Sequence, residues 1–509
     1  MTSERGPAGS WQHLVKWDGG AVALGPTLDG MPVSDLAAGQ LLRDEYAGMV
    51  HYLPVTKTWH IWDGKCHRPD DCSRTEQLVW SFGERYGLAI ERCRAAVAEQ
   101  VAAAFVGTEA SEPELRRARE AAWEPWKAAE KYAAGLQRKA GQSALRATLA
   151  DLCGTAEAEL AERNPRMLNC ANGTVDLQTG ELRPHNPADM ITYCLGTEYE
   201  QEAAAPMMFS GLLHRMCGYD AETMWYLVKA LGYGLLGENP EQVIFFINGP
   251  TKSGKSKVLY IVRQILGALA HESQAALITW NRQGRNARTE NSIRGRRMVT
   301  ITETSAFMHI DEGQLKRITG EDVISTDRHY ATEELKTPVT WVIFVATNDM
   351  PSITNMDGAI QERVIVIPGG PTIPESERDA RLAGRILAEE SEGILAWLVG
   401  ACVEYHRSGL APPEAVRRET DRYRSQQNSV ANFIAECCVM APPGMFASIE
   451  MTDSWTRYCD WARTADGRLT KRQFYEQMAG QPGVTLNDNG GSVRRFEGLT
   501  WKETASFRW

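Results

Sequence analysis

Long hydrophobic runs are missing from this 509-residue chain. No stretch reaches the roughly 18 uncharged apolar residues that a membrane helix needs. The first residues, MTSERGPAGSWQH, hold no apolar core of the kind a secretory signal requires. No membrane partner is therefore expected, and a cytoplasmic setting is. The motif Cys-x-x-Cys is absent as well. Eleven cysteines are scattered singly, apart from the Cys437-Cys438 pair, which reads as reduced thiols and not a disulfide framework. The nearest approach to a metal cluster is Cys66-His67 with Cys72, close to His60; zinc ligands come as tighter pairs, and zinc is not expected there. Net positive charge is lacking too: 55 Lys and Arg against 65 Asp and Glu leave −10. The bulk surface will not gather nucleic acid by charge alone, so any such contact must come from a local patch. Internal repeats and low-complexity blocks are also absent.

What is present is ordinary globular composition, 43% hydrophobic and 24% charged, in a chain long enough for several domains. Residues 1 to 28 are rich in Gly, Pro and small side chains and read as a flexible tail. From Val33 to Gly87 short apolar runs alternate with turns, and Lys57 to Gly64 is predicted as a strand entering a glycine turn. Ile90 to Cys153 is dense in Ala, Glu, Arg and Lys, which predicts two or three helices broken near Gly107–Pro113 and near Gly141. Asn172-Gly173 and Thr179-Gly180 are turn signals. Pro206 to Gly237 has helical spacing, Gln242 to Pro368 alternates strands and helices, and 375 to 436 is helical. The last seventy residues end in two helices and then two short strands, Val484-Thr-Leu and Val493 to Phe496, around Asn489-Gly490-Gly491.

One segment carries chemistry in plain view. The apolar run Val243 to Ile247 suits a buried parallel strand, and Gly249-Pro250-Thr251-Lys252-Ser253-Gly254-Lys255-Ser256 follows it, leading into a helix from Lys257. Glycines let backbone wrap a phosphate, and a helix N-terminus adds its positive end. Lys255 is expected to reach the β- and γ-phosphates of ATP, and the Ser256 hydroxyl to hold Mg²⁺. A second apolar run, Arg297 to Thr302, ends at Glu303, where an open α/β sheet presents ligand-facing groups; Glu303 is assigned to Mg²⁺ and water activation. A third, Val339 to Thr347, ends at Asn348, whose amide can hold both attacking water and γ-phosphate. Arg363 lies fifteen residues further on and gains meaning as an arginine finger acting on a neighbouring copy.

Order and spacing together resemble the superfamily 3 DNA helicase core, in particular the helicase half of phage and plasmid primase-helicases, a family shared with the poxvirus replicative helicase-primase. Lys57 to Gly64 is similar to the family's Trp-x-x-Trp-Asp-Gly element, and Leu168 to Leu177 to its Asn-Gly segment. The resemblance implies that Gly249 to Lys257 bind nucleotide, that Ser256 and Glu303 hold metal, and that Lys255, Glu303, Asn348 and Arg363 are catalytic. It implies a channel-facing hairpin with Arg328 and His329 on DNA. Three positions depart from the family: Ser253 stands where Asn is frequent, the second motif has one acid, and Glu362 precedes Arg363 where paired arginines occur. The C-terminal helices and ribbon look like a winged helix, with Lys471, Arg472, Arg494 and Arg495 offered to phosphates.

The expected architecture is α/β: a P-loop NTPase (AAA+-like) core with a parallel sheet, a mainly helical N-terminal domain and a C-terminal helical and winged-helix module. Boundaries fall at 29–200 (helicase-associated), 201–372 (ATPase), 373–436 (helical extension) and 437–509 (winged-helix-like). The expected activity is ATP-dependent replicative helicase action by a hexameric ring on single-stranded or forked DNA, for a phage, plasmid or other mobile element. A separate primase or polymerase is the expected partner, since residues before the core show no paired-acid polymerase motif. The rival readings are a non-unwinding replication initiator that tethers DNA and a DNA-packaging motor.

Overall fold

The computed structural model describes residues 32–107, 111–155, 164–279, 287–302, 310–320, 324–326, 335–351, 353, 358–427, 429–442, 445–462, 469, 471–487 and 494–502. The chain forms two compact units. One comprises Met1–Asn164, Asn169–Thr174 and Leu182–Cys194; the other comprises Pro165–Leu168, Val175–Glu181 and Leu195–Trp509.

In the first unit, helix α1 (Asp35–Glu45) starts at Ser34, whose hydroxyl accepts the Ala37 N–H. Such a cap is worth about 1 kcal/mol. Strands β1 (Val50–Leu53), β2 (Thr58–Trp62) and β3 (His67–Pro69) form an antiparallel sheet in that order. The predicted strand at Lys57 is β2, and Gly64 turns the chain at φ +99°. Helices α2 (Arg74–Ala104), α3 (Glu112–Trp123), α4 (Lys127–Leu136) and α5 (Lys139–Leu152) follow. Along α2, Leu78, Phe82, Tyr86, Ile90, Cys93 and Val97 recur every three or four residues and enter a core with Trp59, Trp123, Trp126 and Leu145.

Two expectations are corrected here. The stretch from Val33 to Gly87 is not all short runs and turns: Asp35–Glu45 is helical and α2 already begins at Arg74. The break expected near Gly141 falls earlier, at Gln137-Arg138, and Gly141 sits inside α5. A Cβ at Gly141 would stand 2.4 Å from the Gly135 carbonyl oxygen, so the glycine permits a tight α4–α5 corner and is not a helix breaker.

The turns read at Asn172-Gly173 and Thr179-Gly180 join three short strands, β4 (Met167–Cys170), β5 (Gly173–Asp176) and β6 (Leu182–Arg183).

The second unit then runs through α6 (Met207–Met216), α7 (Ala221–Tyr233), β7 (Ile244–Asn248), α8 (Lys255–Leu266), β8 (Ala270–Glu272), α9 (Ala287–Ser292) and β9 (Met298–Ile301). Next come α10 (Glu312–Thr319), the antiparallel arms β10 (Ile324–Thr326) and β11 (Leu335–Thr337), β12 (Val342–Thr347), α11 (Gly358–Arg363) and β13 (Val364–Pro368). Five strands form one wholly parallel sheet in the order β13-β7-β12-β9-β8, so the α/β class holds. Every residue of β9 and β12 is buried, which is why both read as unbroken apolar runs instead of alternating ones. From β7 the chain crosses to β8 at the far edge; from β12 it crosses back over β7 to β13. Right-handed crossovers in opposite directions place their connections on opposite faces. A crevice therefore opens at the carboxyl ends of β7 and β12.

Helices α12 (Leu382–Glu389), α13 (Ser391–Ser408), α14 (Glu414–Gln427) and α15 (Ser429–Cys437) fill the span expected to be helical. Helices α16 (Met451–Trp461) and α17 (Lys471–Ala479) pack with short antiparallel strands around Phe433, Tyr458, Phe474 and Phe496. The foreseen ribbon pairs a strand at Thr485–Asn487 with one at Arg495–Glu497. Three further strands, at Cys438–Met440, Ser448–Glu450 and Leu499–Trp501, are too short to show an alternation in sequence. Among the described residues no helix is long and apolar enough to cross a membrane.

Candidate functional site

The loop after β7 is shaped by what surrounds it. Gly249 donates its N–H to the Thr347 carbonyl at 3.2 Å, and Gly369 donates to the Asn248 carbonyl at 2.5 Å. A Cβ on Gly249 would lie 2.9 Å from the Gly369 Cα, so two strand ends meet at a contact that only glycine allows. Further along, Lys252 (φ +59°) and Gly254 (φ +106°) are left-handed. Backbone of this kind turns N–H groups toward a common anion position. The outer side of the loop is tied down by Ile373 N–H to the Lys252 carbonyl at 3.0 Å and by the Thr372 hydroxyl to the Thr251 carbonyl at 2.9 Å.

Helix α8 starts directly at Lys255, with Gly254 as its cap residue and no side chain capping it. The first-turn N–H groups thus face the same crevice as the loop. Lys255 is only 5% exposed. Its ammonium donates to the carbonyls of Gly249 and Pro250, both at 2.7 Å, to the Asn348 side-chain oxygen at 3.1 Å and to the Ser253 hydroxyl at 3.2 Å. Burial lowers its pKa from the usual lysine range. These partners are all neutral. A lysine held this way keeps an uncompensated positive charge aimed at the loop, which an anion would neutralise.

Asn348 follows β12, whose Thr347 pairs in register with Asn248 of β7. Sheet order thus brings together two residues 93 apart in sequence. They border a cavity of about 940 Å³ that Thr251, Lys252, Ser253, Gly254, Ser256, Lys257 and Thr302 also line. That volume suits a nucleotide-sized ligand. Lys257 lines the cavity, but its ammonium donates to the Asp379 carbonyl at 2.9 Å. Pro250 contributes its carbonyl to Lys255.

Sequence reasoning missed the opposite wall. Met208, Leu212 and Arg215 of α6 and Ile373, Arg378, Asp379 and Arg385 line the cavity from that side. Arg215 pairs with Glu377 at 2.6 Å, and Arg385 with Asp379 at 2.6 Å. The Arg381 N–H and the Arg385 guanidinium hold the Asp379 carboxyl below its ordinary pKa range. No motif marks these residues; the spacing of Arg378, Arg381 and Arg385 is the one signal available.

Comparison with known proteins adds to this geometry. Residues 39–218 match the family described as D5 N terminal like. A protein of Acanthamoeba polyphaga mimivirus provisionally named helicase L207/L206 is 25% identical over 299 residues, covering 55% of this chain and 31% of its own length. A Frog virus 3 (isolate Goorha) protein provisionally named helicase 022R is 23% identical over 302 residues, covering 54% of this chain and 30% of its own. The matches support a phage and viral primase-helicase family. The chain spans about three tenths of the length of these curated relatives. An apo structure of the NrS-1 C-terminal region is 15% identical, covers 60% of this chain and 78% of that one, and has a TM-score of 0.35.

The remaining residues singled out in the sequence fall as follows. Glu303 lies outside the described residues, as do Arg328 and His329. The arms β10 and β11 flank that last pair, in register from Ile324↔Thr337 to Thr326↔Leu335. Arg363, at the end of α11, does not line the cavity; its guanidinium donates to the Ala359 carbonyl at 2.8 Å and the Gln242 side chain at 2.5 Å. Lys471, Arg472, Arg494 and Arg495 are exposed, with the Lys471 ammonium 5.7 Å from the Tyr475 ring centre and Arg495 donating to Ser448 at 3.3 Å. At Cys66-His67 both side chains are buried: His67 Nε2 bonds the Pro187 carbonyl at 2.9 Å, and burial pushes the Cys66 thiol up to about 12.

Proposed function

We propose that the chain is an ATP-hydrolysing replicative DNA helicase of a phage, plasmid or similar element, working as a hexameric ring on single-stranded or forked DNA. The observation that carries this reading is the convergence of Lys255, Asn348 and a left-handed loop at an uncapped helix start. An AAA+-like P-loop core fits that arrangement. The D5 N terminal like match and the viral relatives provisionally named helicases support a replication role, and the nucleotide chemistry is our extension of it.

In this reading Lys255 exchanges the Gly249 and Pro250 carbonyls for phosphate oxygens of ATP. Charge-assisted bonds of that kind are shorter and about twice as strong as neutral ones. The Asn348 amide, released from Lys255, orients the attacking water, and Glu303 takes its proton. Lys252 and Ser253 present backbone N–H groups to the phosphates, while Ser256 and Glu303 are the candidate Mg²⁺ ligands. When bound, that ion would neutralise phosphate charge. Arg363 from a neighbouring copy is the assigned finger, and it must leave Ala359 and Gln242 to act.

Arg328 and His329, beyond the β10–β11 arms, are assigned to single-stranded DNA in the channel. Lys471, Arg472, Arg494 and Arg495, on a helix and ribbon we read as a winged helix, are assigned to phosphates. Binding through such groups weakens steeply with salt. A separate primase or polymerase is the proposed partner. The test is unwinding of a tailed duplex with ATP, wild type beside Lys255→Ala. Unwinding and ATP turnover by wild type alone are expected. ATP turnover without strand separation would favour the packaging reading, and replication and DNA binding that survive Lys255→Ala and Glu303→Gln would favour the initiator.

A further inference from the structure

The last ladder pairs of β9 are Ile301 with Val345 on one side and Thr300 with Glu272 on the other. Thr302 lies past both, lines the cavity, and directly precedes Glu303 in the chain. Main-chain pairing therefore does not fix its position. A side-chain chain of contacts does. The Thr302 hydroxyl donates to Glu272 Oε1 at 2.5 Å. The other oxygen of that carboxylate pairs with Arg263 at 2.7 Å. A second guanidinium nitrogen of Arg263 donates to the hydroxyl of Thr300, a fully buried residue, at 3.0 Å.

Arg263 belongs to α8, the helix that Lys255 begins, and is only 15% exposed in its side chain. Its forked donors suit two acceptors at fixed separation. One end of α8 thus holds the phosphate loop, and the other holds the tip of β9. We propose that Arg263, Glu272 and Thr302 form a positioning relay that sets Thr302 at the end of β9, the residue next before Glu303 in the chain, relative to the phosphate loop, making the relay a determinant of the water-activation step. The proposal rests on the ATPase reading above. None of the three is a catalytic residue; each acts through the backbone it holds.

The relay acts on kcat, because it places a group needed in the transition state, and leaves ATP binding by the loop intact. Misplacement of a catalytic group by about 1 Å can cost roughly a hundred-fold in rate. Thr302→Val removes the donor at nearly constant volume. We expect kcat for ATP to fall at least about ten-fold with KM changed less than about two-fold. Thr302→Ser, which keeps the hydroxyl, restores most of kcat. Arg263→Met lowers kcat likewise, and the Arg263→Met/Thr302→Val double variant loses no more than the worse single one. Melting temperatures are read alongside. The relay is overturned if Thr302→Val keeps wild-type kcat, if Thr302→Ser fails to rescue, or if the two losses multiply. Wild-type protein that cannot hydrolyse ATP at all sinks the ATPase reading, and the relay with it. Active wild type with an unaffected Thr302→Val sinks the relay alone.

Discussion

Replacing Lys255 by Met tests the centre of the site. The substitution keeps the stem and removes the ammonium that donates to Gly249 and Pro250 at 2.7 Å. If those two bonds are exchanged for phosphate oxygens during turnover, two charge-assisted bonds of about 1.5–3 kcal/mol each are lost. The sum, roughly 3–6 kcal/mol, corresponds to about a hundred- to ten-thousand-fold in kcat/KM. Stability should move little. Relief of a desolvated charge, seen in the lowered Lys255 pKa, opposes the cost of leaving two carbonyls without a donor. A melting shift within about 4 °C is expected. The assay is steady-state phosphate release with and without single-stranded DNA, beside a thermal scan. Hydrolysis within about three-fold of wild type would refute the reasoning. A large drop in melting temperature would refute the balance of terms in the folded state.

Other outcomes follow from the packing. His67 is fully buried, and burial, helped by nearby His51 and His60, lowers its pKa from 6.5 to about 4. The unfolded chain then takes up a proton first, so its stabilising contribution is complete above pH ~6.5 and lost toward pH ~4, on the order of 3 kcal/mol. Urea midpoints measured between those pH values should fall for wild type and flatten for His67→Gln. A Cβ at Gly232 would sit 2.7 Å from the Leu398 carbonyl and 2.8 Å from the Cys402 nitrogen, both backbone atoms of α13. Gly232→Ala should cost about 1–3 kcal/mol in chemical denaturation. Glu290 is 3% exposed and paired with Arg317 of α10. Arg317→Met should cost about 3–5 kcal/mol, and Glu290→Gln added to it should recover part; an additive double variant would contradict the pairing.

What the chain alone determined is what a few neighbouring residues can encode. Strand, glycine loop and helix from Val243 to Leu266 were legible because positive φ, buried apolar runs and a lysine at a helix start are local demands. The buried strand ending at Thr347, and Asn348 just beyond it, were legible for the same reason. The α2 start, the α4–α5 corner at Gln137-Arg138 and the shortest C-terminal strands were not, because a tertiary neighbour decides each of them. Only the folded sheet order set Asn348 beside Lys255, brought α6 and Ile373–Arg385 around the cavity, and strung Arg263 to Thr302 through Glu272. The hydrogen bonds and the ion pair among these join residues 9 to 93 apart in the chain. Their energy depends on which strands lie side by side, a property of the whole chain that no short window of sequence contains.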